Sequence, residues 1–145
     1  MKKQTGDLIK LAQSGEFDVI IHGCNCFCTM GAGIALQIKK NYPKAYEEDC
    51  KTSKGDKGKL GSFTYSDEGV VVVNAYTQYH WRGPQPRVDY EAVRSVFKAL
   101  KLKFSGKRFG YPLIGAGLAG GDWNIISNII DEELNLEDHT LVLYG

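Results

Sequence analysis

Two glycine-rich bends carry the chemistry most legible in this chain, Met30-Gly31-Ala32-Gly33 and Gly115-Ala116-Gly117-Leu118-Ala119-Gly120-Gly121. Each follows an apolar run that reads as a buried strand and precedes a segment with helical periodicity. Glycine permits positive φ and lets a ligand reach backbone N–H groups with no Cβ in the way. A helix starting directly behind such a bend adds unpaired amides and the positive end of its dipole, which favours an anion. In an open α/β sheet, bends at the carboxyl ends of strands share one crevice, where ligands bind. Two anion cradles on one crevice suit a diphosphate. The second bend also spells G-x-G-x-x-G through Gly115, Gly117 and Gly120. A dinucleotide-binding unit would need an acid at the end of the next strand, about 20 residues on. Glu137 falls before that strand instead of after it, so a dinucleotide-dependent dehydrogenase is set aside.

Three side chains near these bends have acid–base chemistry. His22 sits at the carboxyl end of an apolar strand and titrates near neutrality by type. Asp122 follows the second bend and could orient a water or a histidine. His80 lies beside Trp81 and Arg82 in a long loop. Each has a plainer reading. His22 fits a satisfied core histidine, Asp122 an N-cap, and His80-Trp81-Arg82 simple loop packing. Asp7 fits the cap of a short helix, Leu8–Gln13. His139 reads as solvated, and Lys51, Lys54, Lys57 and Lys59 as a soluble turn. Cys24, Cys26 and Cys28 alternate too closely for mutual disulfides. They also lack the paired spacing of a zinc site, so reduced thiols and no metal are expected.

The elements that must position these residues follow from the pattern. Asp18–Asn25 and Val70–Ala75 read as buried strands. Gly31–Lys40 reads as a helix stopped by Asn41-Tyr42-Pro43, with residues 44–59 holding a second helix and a Lys/Gly-rich turn. Leu60–Tyr65, Arg108–Ile114 and Thr140–Tyr144 read as strands. Val88–Leu102 places Val93, Val96, Phe97 and Leu100 on one helical face, and Trp123–Leu134 is a further helix. Between them Thr77–Arg87 is a loop in which Pro84 and Pro86 bar regular structure, with the aromatic and charged content of a lid. Strands alternating with helices mean an α/β domain with a largely parallel sheet. One domain, 1–145, is expected.

Composition narrows the function. Eighteen Lys+Arg against seventeen Asp+Glu leave a formal net charge of +1, which gives no reason to expect a general nucleic-acid coat or membrane-surface binder. No apolar run approaches the roughly 20 residues needed to span a bilayer. Polar residues after Lys2-Lys3 do not form a secretory leader. A cytoplasmic domain in a reducing compartment is expected.

Taken in order, Gly6-Asp7-Leu8, the strand ending in Asn25, MGAGIALQIKKNYP, VVNAYTQYHWR and PLIGAGLAGGDW resemble the macrodomain family over nearly the whole chain. The resemblance implies a three-layer α/β/α fold with a mixed, mostly parallel sheet, and ADP-ribose as ligand. It implies that Asp7 and the backbone near Leu8 hold the adenine and that Asn25 binds the distal ribose. Met30, Gly31, Ala32, Gly33 and Ile34 would wrap that ribose and one phosphate. Gly115, Ala116, Gly117, Leu118 and Ala119 would wrap the diphosphate, with Thr77 beside them. Two branches are similar. ADP-ribosyl hydrolases acting on protein carboxylates or DNA use a catalytic lysine after a threonine. Here Thr77 is followed by Gln78, an amide that cannot be a base or form a Schiff base. ADP-ribose 1″-phosphate phosphatases share Ile21-His22-Gly23-Cys24-Asn25-Cys26 and Tyr42-Pro43-Lys44-Ala45. The phosphatase reading is taken as primary, with His22, Asp122 and His80 as its acid–base candidates, the last assisting or contacting the terminal phosphate. With no acid-rich cluster in the sequence, a metal-independent, cofactor-free reaction is expected. The alternatives are a glycohydrolase acting on ADP-ribosylated protein or nucleic acid, and a non-catalytic ADP-ribose reader.

Overall fold

The computed structural model describes residues 1–145. Its elements in chain order are β1 (Lys2–Thr5), α1 (Leu8–Gln13), β2 (Val19–Cys24), α2 (Gly33–Asn41), α3 (Pro43–Cys50), β3 (Phe63–Asp67), β4 (Val71–Tyr76), α4 (Tyr90–Phe104), β5 (Arg108–Tyr111), α5 (Trp123–Glu133) and β6 (Asp138–Leu143). The strands form one six-stranded sheet in the order β1-β6-β5-β2-β4-β3. All neighbours are parallel except the antiparallel pair β3 and β4.

Side-chain alternation along the central strands builds two cores. Val19 and Ile21 of β2, with Val73 and Ala75 of β4, meet Val93, Val96, Phe97 and Leu100 of α4 and Ile126 and Ile130 of α5. The adjacent residues Ile20 and Val72 face the other way onto Leu8, Ile9, Ile38 and Ala45 of the first three helices. The result is a three-layer α/β/α sandwich, and the four residues read as the buried stripe of α4 are all buried.

Asp89 starts α4, because its carboxylate accepts from the Ala92 amide at 3.0 Å. The helix therefore begins two residues later than the apolar pattern predicts, and runs on to Phe104. β5 likewise stops at Tyr111, since Pro112 cannot donate to the ladder. β1 was not expected at all. Its four residues are exposed and carry no apolar alternation, and it is held by parallel pairing to β6 alone. Two readings of solvated residues are corrected. His139 is buried, where its Nδ1 meets the Tyr111 hydroxyl at 2.7 Å. Lys59 is only 7% exposed, its ammonium donating to the Thr52 hydroxyl at 2.9 Å.

Phe97 is fully buried at the centre of the α4 interface. Phe97→Ala is expected to lower unfolding stability by about 3–5 kcal/mol through lost burial and an unfilled cavity, measured by urea titration.

Candidate functional site

Because β1, β6, β5, β2 and β4 are parallel, their carboxyl ends share one edge of the sheet, and a cleft of about 1240 Å³ runs along it. Gly6, Asp7 and Leu8 after β1 line it, with Leu143 and Tyr144 at the end of β6. Pro112 to Gly115 follow β5, Asn25 and Thr29 to Ala35 follow β2, and Gln78 follows β4. Both glycine bends thus face one cavity. At about 4.8 Å per strand, the reach from β1 to β4 is about 19 Å.

The bends are shaped differently. In the first, Met30 and Gly33 have φ of 38° and 57°. Ala32, the N-cap of α2, has no side chain able to cap it. The amides of Gly33 and Ile34 therefore meet no protein acceptor and line the cleft. In the second, Gly115 has φ of 73°, and a Cβ there would lie 2.6 Å from Val88 Cγ2. That glycine is required by conformation and by packing together. Gly121 donates to the Gly115 carbonyl at 2.7 Å and Gly120 to Gly117 at 3.0 Å, closing the loop on itself. The amides of Gly117, Leu118 and Ala119 are left without protein acceptors. Asp122 accepts from Asn124 N at 2.9 Å and the first residues of α5 lie off the cleft wall, so the free amides on the cleft belong to the bend and not to the helix behind it.

The expected site residues divide. Asp7, Leu8, Asn25, Met30, Gly31, Ala32, Gly33, Ile34, Gly115, Gly117, Leu118 and Ala119 all line the cleft. Asp7 also caps α1, its Oδ1 accepting from Ile9 at 3.0 Å and Lys10 at 3.1 Å. Asn25 braces its own loop, accepting from Phe27 N at 2.8 Å and donating to Thr29 Oγ1 at 2.7 Å. Ala116 is in the second bend but off the cleft wall, and Thr77 is fully buried behind it.

The three acid–base candidates are not brought together. His22 is corrected most clearly. It is 0% exposed and points into the layer under α3, where its Nε2 donates to Asn74 Oδ1 at 2.7 Å. Burial pushes its pKa down to about 4, with the Asn74 bond opposing. Even-numbered positions of β2 face that layer, and the odd-numbered neighbours Ile21 and Gly23 face the other, so a histidine at 22 is directed into the core. His80 lies off the cleft wall, stacked on Trp81 with ring centroids 3.9 Å apart, and its Nδ1 accepts from Arg82 N at 2.8 Å. Asp122 is also off the wall and serves as the cap of α5.

Several lining residues escaped the sequence reading. Arg87 lies on the wall with its guanidinium on the carbonyls of Leu118 and Gly83, while its buried Nε has no partner. Its amide also donates to the Ala119 carbonyl at 2.7 Å, tying the long loop to the second bend. Trp81, 40% exposed, lines the cleft with Phe27 packed edge-on behind it. Asp49 lines it from α3. Asp49 follows Ala45 by one helical turn, so its place on a buried face was available from spacing alone.

A family model described as Macro domain matches residues 21–130. The chain belongs to the Macro domain family. Among relatives of this macrodomain is a 17.5 kDa protein from the tk-vs intergenic region of Enterobacteria phage T4, 37% identical over 87% of this chain and 84% of that protein. A DNA ADP-ribosyl glycohydrolase of Mycobacterium tuberculosis is 28% identical over 97% of the chain, which spans only 40% of that relative. An ADP-ribose 1″-phosphate phosphatase of Lodderomyces elongisporus is 25% identical over 95% of both chains. The solved macrodomain of Thermus aquaticus DarG superposes with a TM-score of 0.78 at 23% identity, over 99% of this chain and 97% of that one, which shows the shared fold.

Neutral His22 gives the macrodomain a distinct titration. An unfolded chain would protonate this group below about 6.5, while the folded one resists until about 4. Its contribution to stability is therefore full above the first value and is lost as pH falls through the second. Nitrogen-detected NMR is expected to show one neutral imidazole, protonated on Nε2, persisting at pH 5.5.

Proposed function

We propose that this macrodomain, acting as one domain over residues 1–145, binds ADP-ribose in the cleft and hydrolyses ADP-ribose 1″-phosphate to ADP-ribose and phosphate. The observation that carries the binding reading is the convergence of acceptor-free amides from both bends on one cavity. A diphosphate is a multivalent acceptor of matching charge, and backbone amides satisfy it without a counter-cation. Asp7 and Leu8 at one end suit the adenine. Asn25, several strands away, suits the far ribose.

Two features favour the phosphate ester as substrate. Gln78 lines the cleft where the resembling glycohydrolases carry a lysine, so the lysine route is closed to this chain. Arg87 presents a cation to the same wall with only carbonyl oxygens as partners, and a phosphomonoester would bring the missing negative charge. Release of that phosphate breaks one P–O bond, with water supplying the oxygen to phosphorus and a proton to the departing ribose oxygen. A second reading is removal of ADP-ribose from a macromolecule. It is favoured by the exposed Trp81 ring on the cleft wall, which offers a flat surface to whatever the ribose is attached to.

A Cβ at Gly117 would meet nothing within 4 Å. Gly117→Val is therefore expected to leave the melting temperature unchanged while filling the diphosphate path. ADP-ribose affinity should fall at least about tenfold by calorimetry, the cost of 1.4 kcal/mol or more. Phosphate release from ADP-ribose 1″-phosphate is the expected activity in a colorimetric assay. Loss of ADP-ribose from modified DNA or protein, with no phosphate released from the small ester, would replace the first reading by the second.

A further inference from the structure

A chain of buried polar groups begins at His22 and ends on the cleft wall. His22 Nε2 donates to Asn74 Oδ1 at 2.7 Å. Asn74 Nδ2 donates onward to the Ala45 carbonyl at 2.9 Å and to Thr64 Oγ1 at 3.1 Å. Thr64 Oγ1 lies 3.0 Å from the Tyr76 hydroxyl, which itself donates to Asp49 Oδ1 at 2.6 Å. Tyr76 has one hydrogen and gives it to Asp49, so the Thr64 hydroxyl must donate to Tyr76. Along the path from His22 each hydrogen therefore runs toward the Asp49 carboxylate, the second Asn74 hydrogen being held by the Ala45 carbonyl. An asparagine carries no proton onward, so this is an orienting chain and not a proton wire.

The far oxygen is the unusual one. Asp49 is 1% exposed, and its Oδ2 has no hydrogen-bond partner. A buried carboxylate oxygen without a donor is costly. Asp49 nonetheless lines the cleft, beneath the β2 and β4 ends. Its backbone carbonyl accepts from Cys28 Sγ at 3.2 Å, which fixes α3 against the loop that carries Asn25. A hydroxyl brought into the cleft beside Asp49 would supply the donor that the protein does not.

We infer that Asp49 is a specificity-determining residue whose Oδ2 accepts a hydroxyl hydrogen from the ribose beyond the diphosphate. The inference rests on the ADP-ribose reading above and adds to it the group that tells ADP-ribose from ADP. His22, Asn74 and Tyr76 are positioning residues that set the carboxylate's rotamer, which gives the sealed histidine a part in recognition without contact to ligand.

The groups facing Asp49 are Tyr76 from β4, Cys24 from β2, Cys26 and Cys28 from the loop after it, Tyr46 on its own helix, and Lys59. Thiols and phenols gain charge only well above neutrality, so Lys59 is the one charged neighbour. Burial pushes the Asp49 carboxyl up, with the Tyr76 bond and the Lys59 charge opposing.

The test compares ADP-ribose with ADP by calorimetry. Wild type is expected to prefer ADP-ribose, and Asp49→Asn to lose about tenfold of that preference while holding ADP as before. Preference should also fade as pH drops and the carboxyl protonates. Tyr76→Phe, which removes a donor from the ionised form, should move that fading to higher pH, and this covers the case of an Asp49→Asn chain that fails to fold. An unchanged ratio in Asp49→Asn, equal losses of ADP and ADP-ribose in the folded variant, or an unmoved pH profile in Tyr76→Phe each overturns the inference. Wild-type chain that binds neither nucleotide would instead bring down the ADP-ribose reading itself, and this inference with it.

Discussion

Backbone donors without acceptors are the constraint around which this structure is arranged. Most helix starts are sealed by their own sequence: Asp7, Asp89 and Asp122 each place a carboxylate on the first amides of α1, α4 and α5. α2 begins with Ala32 and has no such seal. The amides around Gly117 stand free for a different reason, because the loop's own hydrogen bonds use its flanks and leave its crest unpaired. Unpaired amides are tolerated where water or a ligand reaches them. Both sets open on the carboxyl edge of the parallel strands, so the topology that creates the cleft also places its donors.

The layer beneath α2 and α3 is built on the opposite principle. His22, Asn74, Thr64, Tyr76 and Asp49 are polar groups in or beside the core, and nearly every atom among them is satisfied by the next. Such a chain is costly when broken, because losing one partner leaves another desolvated and unpaired. It also fixes geometry in a way apolar packing does not, since each donor has one acceptor at one angle. The four thiols nearby remain free, with Cys24 and Cys26 buried among the same side chains.

Much of this was legible from sequence. The alternation in β2 and β4 and the stripe on α4 gave the layers, because burial enforces a period that can be read directly. The two bends were legible because glycine at Gly33 and Gly115 answers a backbone demand that other residues meet poorly. The failures have physical causes. β1 is four exposed residues whose pairing to β6 depends on distant chain, and no local pattern announces it. Chemical type marks His22 as an acid–base candidate, but its parity in β2 sends it into the layer under α3, where Asn74 holds it. Arg87 was invisible because its importance comes from meeting the Leu118 carbonyl, thirty-one residues away in the chain. Asp49 stands among charged neighbours in α3, and only its spacing from Ala45 marks it as facing the core.

The borders of the sheet carry a consequence for how this molecule meets others. On one side β1 is four residues long and bears Lys2 and Lys3, with the Lys2 ammonium 2.7 Å from Asp138. On the other, β3 turns antiparallel, and Lys103 rests its ammonium 5.1 Å from the ring of Tyr65. A four-residue margin carrying two lysines makes a poor template for another polypeptide to extend the ladder, so self-association through strand addition is discouraged at the β1 flank.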